Sequence, residues 1–283
     1  MQNFLQQDNS ALSASQTAET PATDAEVIYC PAENYSDIHQ AFSLAYAKYR
    51  ERELTEDINR EVFFGFHHIL PQAATLVGKL GTTVFATLTA VADGPAGLPL
   101  DNVFHDELEE LREKGYKLGE LGLFADRRRS LTQSLSAIQE LFRMAYWYQM
   151  SVGCEYGVIG VHPRHSAFYE RLFGFETTGI IRDHPTVRGA PAELLLLEAA
   201  SLTKFAARSR FVRAWLDQKM PEEIWETRYR LTIRDLINLT DDREAPYMLD
   251  LVLPYYYLTP HPVTGKPLIP EDVDEMNRIR RAG

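Results

Sequence analysis

The chain has 283 residues, of which 45% are hydrophobic, and this length accommodates one substantial domain with an extension. Its formal net charge of −11 and isoelectric point near 5.2 argue against a nucleic-acid-binding protein, which needs a broad basic field. No apolar run reaches the roughly 18 residues of a membrane-spanning helix, and the N-terminus lacks a secretory signal pattern, so we expect a cytoplasmic protein.

The N-terminal half is predicted to begin with a tail and to continue with strands and helices. Residues 1–24 are rich in Gln, Ser, Thr, Ala and Asp and contain few large apolar side chains, which predicts a flexible tail. Periodicity and turn residues then predict, in chain order, a strand over 27–30, a helix over about 36–52, a hairpin over 75–79 and 82–92, and a helix over about 103–113.

The C-terminal half is predicted to contain a strand–helix–strand unit followed by an extension. The predicted elements are a strand over 116–125, a long helix over 131–152, a strand over 156–161, a helix over about 166–172, strands over 175–181 and 193–197, and helices over about 202–219 and 222–238. A Tyr- and Pro-rich segment, 246–270, follows. We therefore predict an α/β fold with a mixed central sheet flanked by helices over 25–200, and a mainly helical C-terminal extension over 201–283.

Two segments carry a resemblance to a known family. The segment His162–Glu176 contains Phe168-Tyr169 and then Gly174-Phe175, and it resembles the last conserved motif of the GNAT acyltransferases. The loop Asp93–Asp101, with the sequence Asp-Gly-Pro-Ala-Gly-Leu-Pro-Leu-Asp, resembles the long-chain N-acyl amino acid synthases. These are a GNAT-like group related to the acyl-homoserine-lactone autoinducer synthases. The resemblance covers about residues 25–197 and implies a GNAT-like acyl-CoA N-acyltransferase fold.

The resemblance also implies an activity. It implies an N-acyltransferase that moves a long acyl chain to the amine of an amino acid such as tyrosine by direct attack. The implied donor is the phosphopantetheine thioester of acyl carrier protein, with acyl-CoA as the alternative, and no tightly bound cofactor is expected. Two other functions stay open: an acetyl-CoA-dependent acetyltransferase of a small amine or protein, and a non-catalytic acyl-thioester sensor.

Glu120 is the first candidate catalytic residue. It lies on a predicted strand and shares one face, by period two, with Leu118, Gly122 and Phe124. A carboxylate among small and apolar neighbours is costly unless it is used or paired, so we expect a general base for the acceptor amine, with a structural pairing to an arginine as the alternative. The autoinducer synthases have an Arg three residues after this Glu, whereas this chain has Leu123, which disfavours homoserine-lactone chemistry.

The turn after this strand is the candidate donor site. GNAT proteins hold the donor phosphate there with backbone N–H groups at a helix N-terminus. The resemblance therefore implies that the donor is bound by six consecutive residues, Arg127, Arg128, Arg129, Ser130, Leu131 and Thr132. Hydroxyl residues, Thr132 and Ser134, replace the glycines of the family and favour a donor with a single phosphodiester over coenzyme A. The three arginines are also a predicted docking site for an acidic carrier protein, with a solvated run as the alternative.

Tyr169 is the second candidate catalytic residue. Many GNAT enzymes place at this point a general acid that protonates the departing thiolate, and the alternative is a packed helix tyrosine. Phe85, Phe124 and Phe168 are predicted to contact the acyl substrate, although ordinary core packing explains such residues equally well.

The sequence predicts no metal site. His162 and His165 are separated by Pro163, and no third ligand is evident. Cys30 and Cys154 are too few for a disulfide framework or a thiolate site.

Overall fold

The computed structural model describes residues 26–56, 61–128, 130–240 and 245–258. The predicted tail, 1–24, lies outside the described residues. Seven strands are described: β1 (Val27–Pro31), β2 (Ala73–Leu80), β3 (Thr83–Ala92), β4 (Leu118–Asp126), β5 (Tyr156–Val161), β6 (Glu176–His184) and β7 (Ala190–Glu198).

These strands form one mixed sheet in the order β1-β2-β3-β4-β5-β7-β6. Every neighbouring pair is antiparallel except β4 and β5, which run parallel. A parallel pair needs a long crossover, and helix α3 (Leu131–Ser151) supplies it between β4 and β5. The predicted strand–helix–strand unit is confirmed, and so is the mixed central sheet.

Helices cover both faces of this sheet. The helices of the first 200 residues are α1 (Tyr35–Glu51), α2 (Asp101–Glu113), α3 and α4 (Ser166–Phe173). Helix α1 begins where the side chain of Asn34 accepts a hydrogen bond from the backbone N–H of Asp37 at 3.0 Å, and α4 ends at Gly174, whose φ is 82°. The apolar side of α3 packs on one face of β2 and β3, and α1 packs on the other face. No helix among the described residues is long and apolar enough to span a membrane.

Strand β4 separates from β5 and then bulges. The two strands pair only where Leu118–Glu120 lies beside Tyr156–Val158. Further along, β4 places two residues, Leu123 and Phe124, opposite the single residue Leu88 of β3. Leu123 has a φ of 50°, a left-handed conformation that is uncommon for a residue other than glycine. This β-bulge bends the strand at the point where it leaves β5.

The described part of the C-terminal extension contains five helices. They are α5 (Leu202–Phe205), α6 (Arg210–Asp217), α7 (Glu223–Glu226), α8 (Ile233–Leu239) and α9 (Ala245–Leu258). The predicted continuous helices over 202–219 and 222–238 are therefore wrong. Each is interrupted by a hydroxyl residue that caps a new helix: Ser209 accepts from the N–H of Val212 at 3.3 Å, and Thr232 forms a capping box with Asp235.

The extension packs on both faces of the sheet. Trp215 of α6 belongs to the same apolar cluster as residues of α3 and α4, whereas Leu249 and Leu253 of α9 belong to the cluster beneath α1. Between them, the guanidinium of Arg228 donates to the carbonyl of Pro71, just before β2, at 2.7 Å. The chain therefore passes from one face to the other at this end of the sheet.

Candidate active site

Glu120 lies in β4 at the last residue that pairs with β5. Its side chain is buried, and its Oε2 atom accepts a hydrogen bond from the backbone N–H of Leu100 at 2.8 Å. Burial raises the pKa of this carboxyl well above its ordinary value, and the nearby carboxylates of Asp101 and Asp93 raise it further against the effect of the Leu100 hydrogen bond. No arginine among the described residues pairs with Glu120.

The loop that holds Leu100 is clamped by Arg112 of α2. The guanidinium donates to Asp93 at 2.6 and 3.2 Å and to Asp101 at 2.7 and 2.8 Å, which ties both ends of the loop to the helix. Asp101 also accepts from the backbone N–H of Leu98 at 2.6 Å. The acidic and basic residues of this motif therefore position the N–H group that contacts Glu120.

Two polar side chains approach Gly122, and a third lies on the neighbouring strand. A Cβ on Gly122 would lie 3.7 Å from Oε1 of Glu120 and 3.8 Å from Nε2 of His68. Thr89 lies directly opposite Gly122 in the β3–β4 ladder, and its hydroxyl is enclosed without a hydrogen-bond partner among the described residues. We call Glu120, His68, Thr89 and Gly122 the Glu120 cluster. Oε1 of Glu120 and Nε2 of His68 therefore both approach a position that carries no side chain.

Tyr49 lies near both Glu120 and Tyr169, close enough for electrostatic effects. Burial raises the pKa of Tyr49 to about 12, with an opposing effect from Arg52 and a further increase from Glu120. Burial likewise raises the pKa of Tyr169 to about 12, with a further increase from Tyr49. Each phenol therefore keeps its proton at neutral pH, and Tyr49 lies within electrostatic range of both predicted catalytic residues.

In the candidate donor turn, Arg128 forms an ion pair, whereas Arg127 forms none with the described residues. Arg128 donates to Asp126 at 3.1 and 3.2 Å and stacks on the ring of Phe85, with its Cζ atom 4.2 Å from the ring centroid. Arg127 is exposed and makes no ion pair with the described residues, whereas Arg129 lies outside them. These contacts assign Arg128 to the structure of the turn and leave Arg127 available.

The first turn of α3 leaves its backbone donors unused by a side-chain cap. Ser130 is the N-cap residue, yet its side chain makes no capping hydrogen bond, and no acidic residue lies in the first turn. Thr132 is exposed. The N–H groups of the turn, including that of Leu131, therefore point out of the helix end, where an anion is favoured.

The three predicted acyl-contacting phenylalanines lie on the α3 side of the sheet. Phe85 is buried beneath Arg128, and Phe124 packs against the same apolar cluster as Phe85. The prediction that Phe124 shares a face with Glu120 is wrong, because the bulge at Leu123 interrupts the period-two alternation. Phe168 is half-buried, with its ring centroid 5.2 Å from that of Tyr169.

Two cavities lie elsewhere. One, of about 530 Å³, lies between α4, β6 and α5 and is lined by residues that include Glu170, Lys204 and Arg208. The other, of about 470 Å³, lies along the outer side of α1. Neither contains a residue of the Glu120 cluster. Within the described ranges, no three His, Cys, Asp or Glu side chains are grouped to hold a metal ion.

Sequence reasoning missed His68, Thr89 and Tyr49. Tyr49 was interpretable only as part of the apolar face of its helix, since helical spacing does not reveal which hydroxyl stays without a partner. His68 lies in a short 3₁₀ helix, Phe66–Ile69, for which no periodic signal exists. A histidine pair beside an aromatic run was the available clue.

Comparisons with known proteins agree with this geometry. The model of the family described as "FeeM: N-acyl amino acid synthase FeeM" matches residues 40–198, more than half of the chain. The solved structure of FeeM, an N-acyl amino acid synthase from uncultured soil microbes, is 24% identical, with a TM-score of 0.55, and the match covers 64% of this chain and 99% of that one. This likeness confirms the predicted GNAT-like acyltransferase fold.

Other solved structures match less well. The AHL synthase LasI is 14% identical, with a TM-score of 0.46, over 61% of this chain and 90% of that one. BjaI, a CoA-dependent acyl-homoserine lactone synthase solved with MTA, is 12% identical, with a TM-score of 0.45, over 64% of this chain and 88% of that one. No curated protein sequence matches the chain significantly.

Proposed function

Because this chain belongs to the family of the N-acyl amino acid synthase FeeM, and so is an acyltransferase, we propose that it transfers a long acyl group from acyl carrier protein to the amine of an amino acid such as tyrosine. One observation carries this proposal: Glu120 is a buried carboxyl with a raised pKa and one oxygen without a partner among the described residues. It lies where β4 leaves β5, and this gap between the strands is the proposed substrate site.

The proposed reaction is direct attack on the thioester. An amino-acid amine is mainly protonated at neutral pH and cannot attack as ammonium, so a base must remove a proton. Oε1 of Glu120 accepts that proton while Leu100 holds Oε2. A carboxyl with a raised pKa is a stronger base than an ordinary one, which fits this step. The amine nitrogen then bonds to the thioester carbon, and the C–S bond breaks.

Tyr169 is the proposed acid for the leaving thiolate. Its pKa of about 12 keeps the phenol protonated, and no described residue forms a hydrogen bond with its hydroxyl. A thiolate leaves readily even without a proton, so this contribution is smaller than that of the base. Phe168, on the same helix, and Phe124 are the proposed contacts of the acyl chain.

The proposed donor site is the N-terminal turn of α3. Its uncapped N–H groups at Ser130, Leu131 and Thr132 favour a phosphodiester, and exposed Arg127 favours the acidic surface of a carrier protein. Arg128 supports the turn rather than the donor, because Asp126 already neutralises it.

A product assay tests the proposal. The full chain is incubated with acyl carrier proteins of several acyl lengths, with matching acyl-CoA thioesters and with all twenty amino acids, and N-acyl products are identified by mass. We expect amides of long acyl chains, formed faster from carrier protein than from CoA. Acetyl transfer without long-chain amides would favour an ordinary acetyltransferase, and binding without turnover would favour a sensor.

A further inference from the structure

His68 is held in one tautomer within the Glu120 cluster. Its Nδ1 atom accepts a hydrogen bond from the backbone N–H of Gly65 at 2.9 Å. A neutral imidazole carries one proton, so an accepting Nδ1 places that proton on Nε2. Burial, and to a lesser degree the neighbouring His67, lower the pKa of His68 to about 4, against an opposing effect of the Gly65 hydrogen bond. At neutral pH His68 is therefore uncharged and presents Nε2–H as a donor.

This donor faces the start of the bulge in β4. Its Nε2 atom would lie 3.8 Å from a Cβ on Gly122, and the next residue, Leu123, has the left-handed φ of the bulge. No described residue accepts a hydrogen bond from Nε2. A bulge leaves its extra residue unpaired with the partner strand. The Nε2–H donor of His68 therefore lies beside the β-bulge and next to Glu120, the proposed base.

We propose that His68 donates the hydrogen bond that stabilises the oxyanion of the acyl-transfer reaction, an inference that rests on the proposed function. As the amine nitrogen bonds to the thioester carbon, the carbonyl π electrons move onto oxygen. Nε2–H donates to that oxygen and keeps its proton throughout. When the carbonyl forms again, the C–S bond breaks with its electron pair on sulfur, and the proton of the amine is on Glu120. A preset donor of this kind is a large contribution to acyl transfer.

The same geometry excludes His68 as the base. The lone pair of Nδ1 is directed at the N–H of Gly65, and Nε2 already carries a proton. Glu120, by contrast, has an oxygen that accepts no hydrogen bond from the described residues. The two residues therefore have different signatures: substitution of Glu120 changes the pH profile, and substitution of His68 lowers the rate at every pH.

Two substitutions separate the donor from the structural hydrogen bond. His68→Gln can place an amide N–H near the position of Nε2, whereas His68→Asn can accept from the N–H of Gly65 but is too short to reach Nε2. We expect His68→Asn to lower kcat about 10²-fold with little change in the KM of the acceptor and an unchanged pH profile. His68→Gln should recover most of that loss. Thermal unfolding of both variants controls for folding.

Three kinetic results for His68→Asn would overturn the proposal. They are an unchanged kcat, a change confined to the KM of the acceptor, and a pH–rate profile that has lost its acidic limb. Nitrogen NMR of the full chain labelled with ¹⁵N-histidine gives a readout that needs no turnover. We expect neutral His68 with its proton on Nε2 from pH 6 to pH 8. An Nδ1-protonated form, or titration near pH 6.5, contradicts the proposal even if acyl transfer occurs. If no thioester and amine pair gives a product, the proposed function fails and the oxyanion role fails with it.

Discussion

At the scale of single residues, the Glu120 cluster combines groups that are costly to bury. Glu120 has one hydrogen bond for two carboxyl oxygens, and the hydroxyl of Thr89 has none among the described residues. Unpaired buried polar groups destabilise a fold, so their concentration at one strand position is typical of a functional site. The direction of each pKa shift fits the role proposed for that residue: a raised pKa suits Glu120 as the proposed base, and a lowered pKa keeps His68 neutral at pH 7 as the proposed donor.

The first prediction concerns Glu120→Gln. Because the folded pKa is raised, the proton on Glu120 stabilises the fold; this contribution is full below the unfolded pKa of about 4.3 and is lost as pH rises through the folded pKa. Gln stays neutral, so we expect a higher free energy of unfolding than that of the natural protein at neutral pH, and a difference that shrinks below about pH 4. Turnover should fall about 10²- to 10⁴-fold and lose its acidic limb.

Denaturant unfolding and pH–rate profiles measure these effects. Glu113→Gln is the matched control, because Glu113 is an exposed carboxyl at the end of α2. It should leave both quantities unchanged. Unaltered turnover in Glu120→Gln, with an unaltered pH profile, would remove the base assignment.

At the scale of elements, the site depends on a helix that contributes no residue to the Glu120 cluster. Helix α2 contributes Arg112, which holds Asp93 and Asp101 at the two ends of the loop, and the loop delivers the N–H of Leu100 to Glu120. Two ion pairs with bidentate geometry are more directional than surface pairs between flexible side chains. The pKa of Glu120 therefore depends on how firmly Arg112 holds a loop that lies some twenty residues earlier in the chain.

The second prediction follows from this link. In Arg112→Ala, the hydrogen bond from Leu100 loosens and two carboxylates lose their counter-charge, so the pKa of Glu120 rises further. We expect the acidic limb of the pH–rate profile to move to higher pH and the free energy of unfolding to fall by about 2 kcal/mol. Arg182→Ala is the control, since Arg182 pairs with Glu107 on the same helix without contacting the loop. An equal shift in both variants would contradict the link.

The elements that the sequence predicts well are those with a strong period. The long helix over 131–152 and the strand over 156–161 have continuous apolar patterns, and the observed α3 and β5 agree with them within a residue. The extension was less predictable, because capping hydroxyls break its helices and because α9 forms in a segment whose Pro and Tyr content favours a loop.

Part of the site could be predicted and part could not. Glu120 stands out because a carboxylate in an apolar strand is unusual whatever surrounds it. The orientation of Phe124 depends on a bulge, which no period-two pattern contains. His68 and Thr89 reach the site from segments roughly 50 and 30 residues away in the chain, so only the fold brings them together.

At the scale of the whole molecule, the extension and the family-matched part of the chain share their cores. Trp215 and Trp225 lie in the cluster that contains much of α3, and Val252 and Leu253 lie in the cluster that contains Leu123. The hydroxyl of Tyr256 donates to carbonyl oxygens of both parts. The predicted boundary near residue 200 therefore marks a change in pattern, and we expect the two parts to unfold together.

The third prediction tests whether the extension and the family-matched part unfold together. Leu253→Ala removes buried methyl groups of α9, so we expect the free energy of unfolding of the whole chain to fall by about 2–4 kcal/mol in a single calorimetric transition. Tyr247→Ala, on the same helix, should change it by less than about 0.5 kcal/mol because Tyr247 is 69% exposed. Two separate transitions, with only the smaller one shifted, would show that the extension folds on its own.

The conformation of Leu123 in the β-bulge affects how far the chain can be shortened. Its left-handed backbone costs roughly 1–2 kcal/mol, which burial of the side chain beside α1, α8 and α9 offsets. The family match ends at residue 198, before α8 and α9 begin. In a chain cut to the matched length, we expect this leucine to lose part of its packing and the bulge to become less stable relative to a regular ladder. We therefore expect the bulge in β4 to depend on packing by a later segment, and a shortened version of this enzyme either to keep that segment or to carry Leu123→Gly, since glycine adopts the left-handed conformation at little cost.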